Sequence, residues 1–144
     1  MKKLALLFAV FGTMAFAHAG AMGIVKERMD GMKAIGASLK SIAPMMTGKA
    51  EFDSALAEQA SQVIIEHSGQ NMIDRFPEGS EGGVSEAATA IWEQPEAFAE
   101  IAFELEKLAG EIPDASLSAE ARLQLFKDIG QTCKDCHSAY RVLN

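Results

Sequence analysis

Apolar residues at alternating spacings of three and four constrain this chain more than any other feature. Val25, Arg28, Met32, Ile35, Leu39, Ile42 and Met46 follow that rhythm without a break, and such a stripe runs along one side of a helix. Two further segments keep the same register: Phe98, Ile101, Leu105, Leu108 and Ile112, then Leu123, Phe126, Gly130, Cys133 and His137. A fourth carries Leu56, Ala60, Val63 and His67. No apolar/polar alternation of strand length interrupts them. The fold class expected is therefore all-α, an antiparallel up-down-up-down four-helix bundle with helices of roughly 20 residues.

The punctuation agrees. Asp53 is a plausible N-cap for the second helix, which should finish near Phe76-Pro77. Pro77, Gly79, Gly82 and Gly83 mark the long connection. Pro95 suits the first turn of the third helix, Gly110 and Pro113 end it, and Ser118 with Glu120 opens the fourth. Pro44 should kink or loosen the last turn of the first. With 49% hydrophobic and 23% charged residues, the chain is neither disordered nor a disulfide-built miniprotein, since Cys133 and Cys136 are its two cysteines. A net charge of -7 with no basic block speaks against nucleic acid as a partner.

Residues 1–19 read as a cleaved signal peptide: Met1-Lys2-Lys3, an apolar run to Phe16, then Ala17-His18-Ala19 before Gly20. The apolar run is too short for a membrane span, so residues 20–144 form one domain, expected in the periplasm with no span after cleavage. Removing Lys2 and Lys3 leaves 11 basic and 20 acidic residues.

Cys133-Lys134-Asp135-Cys136-His137 is a C-x-x-C-H. Two thiols one helical turn apart can add to the two vinyl groups of one haem, and the adjacent imidazole can take the iron, so one covalent haem c is the expected cofactor. A thioredoxin-like pair would need a strand before the helix. A disulfide closing so small a loop gains little, and a zinc site lacks further ligands. Gly130 would leave room for the macrocycle one turn earlier. Arg28, the charged member of the first stripe, is expected to meet a propionate. Met32, one turn on, could face the iron opposite His137, and Met29 is a second candidate. A thioether ligand would make a six-coordinate, low-spin carrier; a non-bonding one would leave an open, crowded iron that admits small diatomics. His67 is a further candidate ligand. Arg141, one turn past His137, would stand near the proximal face and raise the reduction potential. No nucleophile–base pair or hydrolase spacing is present, so the chain is not expected to be an enzyme.

Residues Cys133 to Arg141, the Arg28/Met32 pair and Gly79-Ser80-Glu81-Gly82-Gly83 ahead of Ile91-Trp92 together resemble the cytochrome c′ family, class II c-type cytochromes. The resemblance implies a five-coordinate, high-spin haem with His137 as its protein ligand, NO and CO as gas partners, electron transfer with redox proteins, and a homodimer built on the first two helices. It also implies haem contacts for Met29 and Val84. A low-spin branch of the family uses a first-helix methionine as sixth ligand; Arg28 and Met32 match the high-spin branch.

Overall fold

The computed structural model describes residues 17–82 and 84–142; most of the expected signal segment lies outside them. Six helices follow one another: α1 (Ala17–Met46), α2 (Ser54–Glu66), α3 (Gly69–Ile73), α4 (Ala90–Glu93), α5 (Pro95–Glu111) and α6 (Ala119–Tyr140). α1, α2 with its short continuation α3, α5 and α6 are the four staves of a bundle. α1 packs on α2, α5 on α6, and α2 and α3 on α5. Among the described residues there is no strand, only an isolated antiparallel bridge between Ala87 and Arg141.

The caps are the expected ones. Leu56 N–H donates to Asp53 Oδ1 at 3.0 Å, and Ala121 N–H donates to Ser118 Oγ at 3.2 Å, each satisfying one orphan donor of a first turn. Pro95 occupies the first turn of α5. Beyond Pro44, α1 runs only to Met46; Lys49 and Ala50 N–H groups then converge on the Pro44 carbonyl at 2.8 and 3.1 Å, with Gly48 at φ +74°.

The α1 stripe is the inward face: Val25, Arg28, Ile35, Ile42 and Met46 are buried, Met32 and Leu39 partly so. α5 likewise buries Phe98, Leu105 and Leu108, and its C-cap Ile112 is buried too. The expected second helix differs in two ways. Of the expected face Leu56, Ala60, Val63 and His67, Ala60 is buried; the others are partly buried, and Ala57, Ser61 and Ile64 complete the buried face. Small side chains beside Ile64 allow close approach to α5, where Ser61 Oγ–H donates to the Ala109 carbonyl at 2.8 Å. The helix also breaks at His67-Ser68, where Gly69 leaves the helical region at φ +52°; a Cβ there would overlap the Glu106 carboxylate of α5. In α6 the buried residues are Leu125, Ile129 and Tyr140; Gly130 is exposed.

Gly69→Ala should accordingly be costly. A left-handed backbone costs an L-residue roughly 1–2 kcal/mol, and displacing Glu106 adds to it. Urea unfolding should show a lower midpoint with an unchanged slope, whereas Gly48→Ala, with open space around its Cβ, should show the backbone cost alone.

Candidate functional site

A cavity of about 350 Å³ opens between α1, α3, α6 and the connection at Val84–Ala87. A smaller chamber of about 140 Å³ adjoins it between α1, α5 and α6. Four residues border both: Met32 from α1, Met72 from α3, and Cys136 and His137 from α6. Cys133 borders the smaller chamber, so the C-x-x-C-H presents its thiols and imidazole along one apolar slot. One side of the larger cavity is aromatic. Phe98 stands edge-on to Phe76 and to Tyr140, with centroids 5.0 and 5.3 Å apart. Trp92 Nε1–H fixes the start of the connection by donating to the Phe76 and Pro77 carbonyls at 3.0 and 3.1 Å.

The site's electrostatics follow from this burial. Both thiols are half-buried and free. Burial pushes the Cys133 thiol up, and burial followed by its neighbour Cys133 pushes Cys136 up to about 11, so both are protonated S–H groups at neutral pH. Partial desolvation, with the Arg141 charge second, holds the exposed His137 below its ordinary value, which favours the neutral imidazole that can donate a lone pair to a metal.

Arg28 does line the cavity, but most of its donors serve the protein. The buried guanidinium stacks over Phe76 at 4.4 Å and donates from Nε to the Arg75 carbonyl at 2.5 Å. Nη2 donates to the Ser80 carbonyl at 3.2 Å and to Ser80 Oγ, and Nη1 to Ser85 Oγ at 3.3 Å. Four of its N–H groups therefore tie α1 to the connection, which leaves one of a guanidinium's five for a propionate. Desolvation lowers its pKa, and nearby Glu81 opposes that.

Met29 and Val84 sit on the cavity rim, 49% and 75% exposed. Arg141 is also at the rim, ion-paired with Glu86 at 2.6 Å. His67 borders neither chamber. It caps α2 against Gly31 of α1, with Nδ1 buried and unpartnered, so it is removed from the candidate iron ligands. Gly130, open to solvent, borders neither chamber; room in the smaller one comes instead beside Gly36. Sequence periodicity missed Met72, Phe76, Ser80, Ser85 and Glu86. Of these, Phe76 carried a signal as an aromatic residue at the expected end of the second helix, and Ser80 as part of the Gly79–Gly83 segment that resembles the family's connection.

Residues 23–141 match the family model described as Cytochrome C′. The chain belongs to the cytochrome c′ family. Cytochrome c-556 of Agrobacterium fabrum is 31% identical over 137 residues, covering 92% of this chain and 90% of its own. Cytochrome c′ of Rhodopseudomonas palustris is 30% identical over 123 residues, covering 83% and 82%. Among solved structures, a carbon monoxide-bound variant of cytochrome c′ from Alcaligenes xylosoxidans superposes with a TM-score of 0.74 at 24% identity, covering 87% of this chain and 98% of that one. As a cytochrome c′ family member the chain is a c-type haem protein whose cofactor is covalent haem c. The residues present fit that group: an apolar slot, two protonated thiols one helical turn apart on its wall, and an imidazole favoured in its neutral form beside the second. No helix among the described residues is long and apolar enough to cross a membrane.

Proposed function

We propose that this protein carries electrons in the periplasm on a single haem c, which Cys133 and Cys136 would hold through thioethers and whose iron His137 and Met32 would ligate. What supports the second ligand is the shared wall: Met32 and Met72 both border the two chambers with His137, and of the two Met32 lies on the first helix, where the low-spin branch of the family that the chain resembles has its methionine. Met29, half-exposed at the rim, is the weaker candidate. When bound, the haem supplies reversible one-electron iron chemistry, and a histidine/methionine pair favours the reduced state. The chain's own residues keep that iron in an apolar slot. Arg28 offers its remaining N–H to a propionate, and Phe76, Phe98 and Tyr140 exclude water from one side. The lysine-led apolar segment ending at Ala17-His18-Ala19 supports export, and resemblance to the family supports a homodimer through α1 and α2.

A second reading has its own support. The larger cavity is open at Val84 and Met29, and a solved family member is a carbon monoxide-bound variant. If Met32 only packs, the iron is five-coordinate, as the resemblance implied, and the protein binds NO and CO. Optical spectra of purified protein, oxidised, dithionite-reduced and reduced under CO, separate the two. Sharp, resolved bands indifferent to CO are expected; broad, merged bands that shift with CO would establish the gas-binding reading instead.

A further inference from the structure

The connection between α3 and α4 is fastened across the cavity mouth from both sides. On one side Arg28 holds Ser80 and Ser85. On the other the segment pairs with the chain just beyond α6: Ala88 N–H donates to the Tyr140 carbonyl at 3.0 Å, and Val142 N–H to the Glu86 carbonyl at 2.8 Å. Within that bridge, Glu86 Oε2 accepts from Arg141 Nε at 2.7 Å and lies 2.6 Å from Nη2. Both side chains are roughly half-exposed, and an isolated pair of that kind contributes little, because ordering two long side chains offsets the attraction. Here the backbone bridge has already set both residues opposite each other, so much of that ordering is shared with the fold. Glu86, Arg141 and His137 all border the same cavity, and Arg141 follows His137 by one helical turn.

A lone guanidinium in that position would bias the iron toward its reduced form. A guanidinium with a carboxylate against it acts as a dipole, whose field falls off faster. We propose that Glu86 is a positioning residue for the haem site: it holds Arg141 at the rim, cancels most of its charge there, and so keeps the iron's reduction potential below the value an unpaired Arg141 would give. This inference rests on haem attachment at Cys133 and Cys136 but on neither choice of sixth ligand.

The test is a set of reduction potentials, by spectroelectrochemistry on full-length holoprotein, for wild type, Glu86→Gln, Glu86→Asp, Arg141→Gln and the double Glu86→Gln/Arg141→Gln. Glu86→Gln should shift the potential upward and Arg141→Gln downward. The double variant, having lost both members of the pair, should return near wild type, and Glu86→Asp should stay close to it. The Glu86→Gln shift should shrink with added salt, as the screening length falls from about 30 Å at 0.01 M to about 3 Å at 1 M. If Glu86 merely stiffens the connection, both single variants would move the potential in one direction and salt would not matter; that outcome overturns the proposal, as does an unmoved Glu86→Gln. Protein made alongside haem-attachment machinery but free of haem overturns both this and the haem assignment, whereas a haem-loaded protein with insensitive potentials overturns this alone.

Discussion

Met32→Leu is expected to change the reduced protein from a sharp, CO-indifferent spectrum to a broad one that shifts on adding CO, with close to one CO bound per haem. The substitution isolates ligation from packing. Leucine and methionine have similar volumes, and such exchanges in cores usually cost less than about 1.5 kcal/mol, so the bundle should persist with its haem still attached through Cys133 and Cys136. What is lost is the sulfur. The reduction potential should fall as well, because a thioether stabilises the ferrous state. Met29→Leu, at a half-exposed rim position, should leave spectrum and potential alone. Met72→Leu is the sharper control, since Met72 is buried and borders the same two chambers as Met32. If Met72→Leu opens the iron while Met32→Leu does not, the donor comes from α3. If wild type is already broad and responsive to CO, Met32 is a packing residue and the gas-binding function stands.

Which parts of this architecture were legible in the sequence follows from how far apart the interacting residues lie. The C-x-x-C-H is local: five consecutive residues carry the thiols, the imidazole and their helical spacing, so periodicity and chemistry can be read together. The α1 stripe from Val25 to Met46 was legible because Val25, Arg28, Ile35, Ile42 and Met46 are buried at one helical period, and Asp53, Pro95 and Ser118 act within their own first turns. The α2 face was not. Ala60 apart, hydrophobicity favours Leu56 and Val63 where the fold buries Ala57, Ser61 and Ile64, and the hydrogen bond from Ser61 to the Ala109 carbonyl of α5 has no local signature. The close approach of Glu106 to Gly69 comes from another helix. Arg28 illustrates both cases. Its place on the inward stripe could be read, but its partners Ser80 and Ser85 lie 52 and 57 residues away, and nothing in their local sequence points back to it. The Glu86–Arg141 pair spans 55 residues and was invisible for the same reason.

Arg28→Leu should be among the most destabilising single changes in the protein, and the loss should begin at the connection over the cavity. Arg28 is a buried cation balanced mainly by carbonyl and hydroxyl oxygens and by the face of Phe76, with no carboxylate hydrogen-bonded to it. Removing it leaves the Arg75 and Ser80 carbonyls and two hydroxyls without their donor. Hydrogen bonds to charged groups contribute about 1.5–3 kcal/mol each, before allowing for water reaching the freed oxygens. A net loss on the order of 3 kcal/mol is therefore expected, which for a domain of this size lowers Tm by roughly 10 °C. Because the connection can swing into solvent, the first sign should be local: faster amide exchange over residues 78–88 and protease cleavage near Gly79–Val84, at denaturant concentrations that leave α5 and α6 protected. Arg28→Lys keeps the charge but loses the fork that reaches three residues at once, so it should recover only part of the stability. Haem should stay attached in both variants, since Cys133 and Cys136 lie on α6. An Arg28→Leu protein with wild-type Tm and undisturbed exchange over 78–88 would mean that Trp92 and the Glu86–Arg141 bridge hold the connection by themselves, leaving Arg28 to the haem alone.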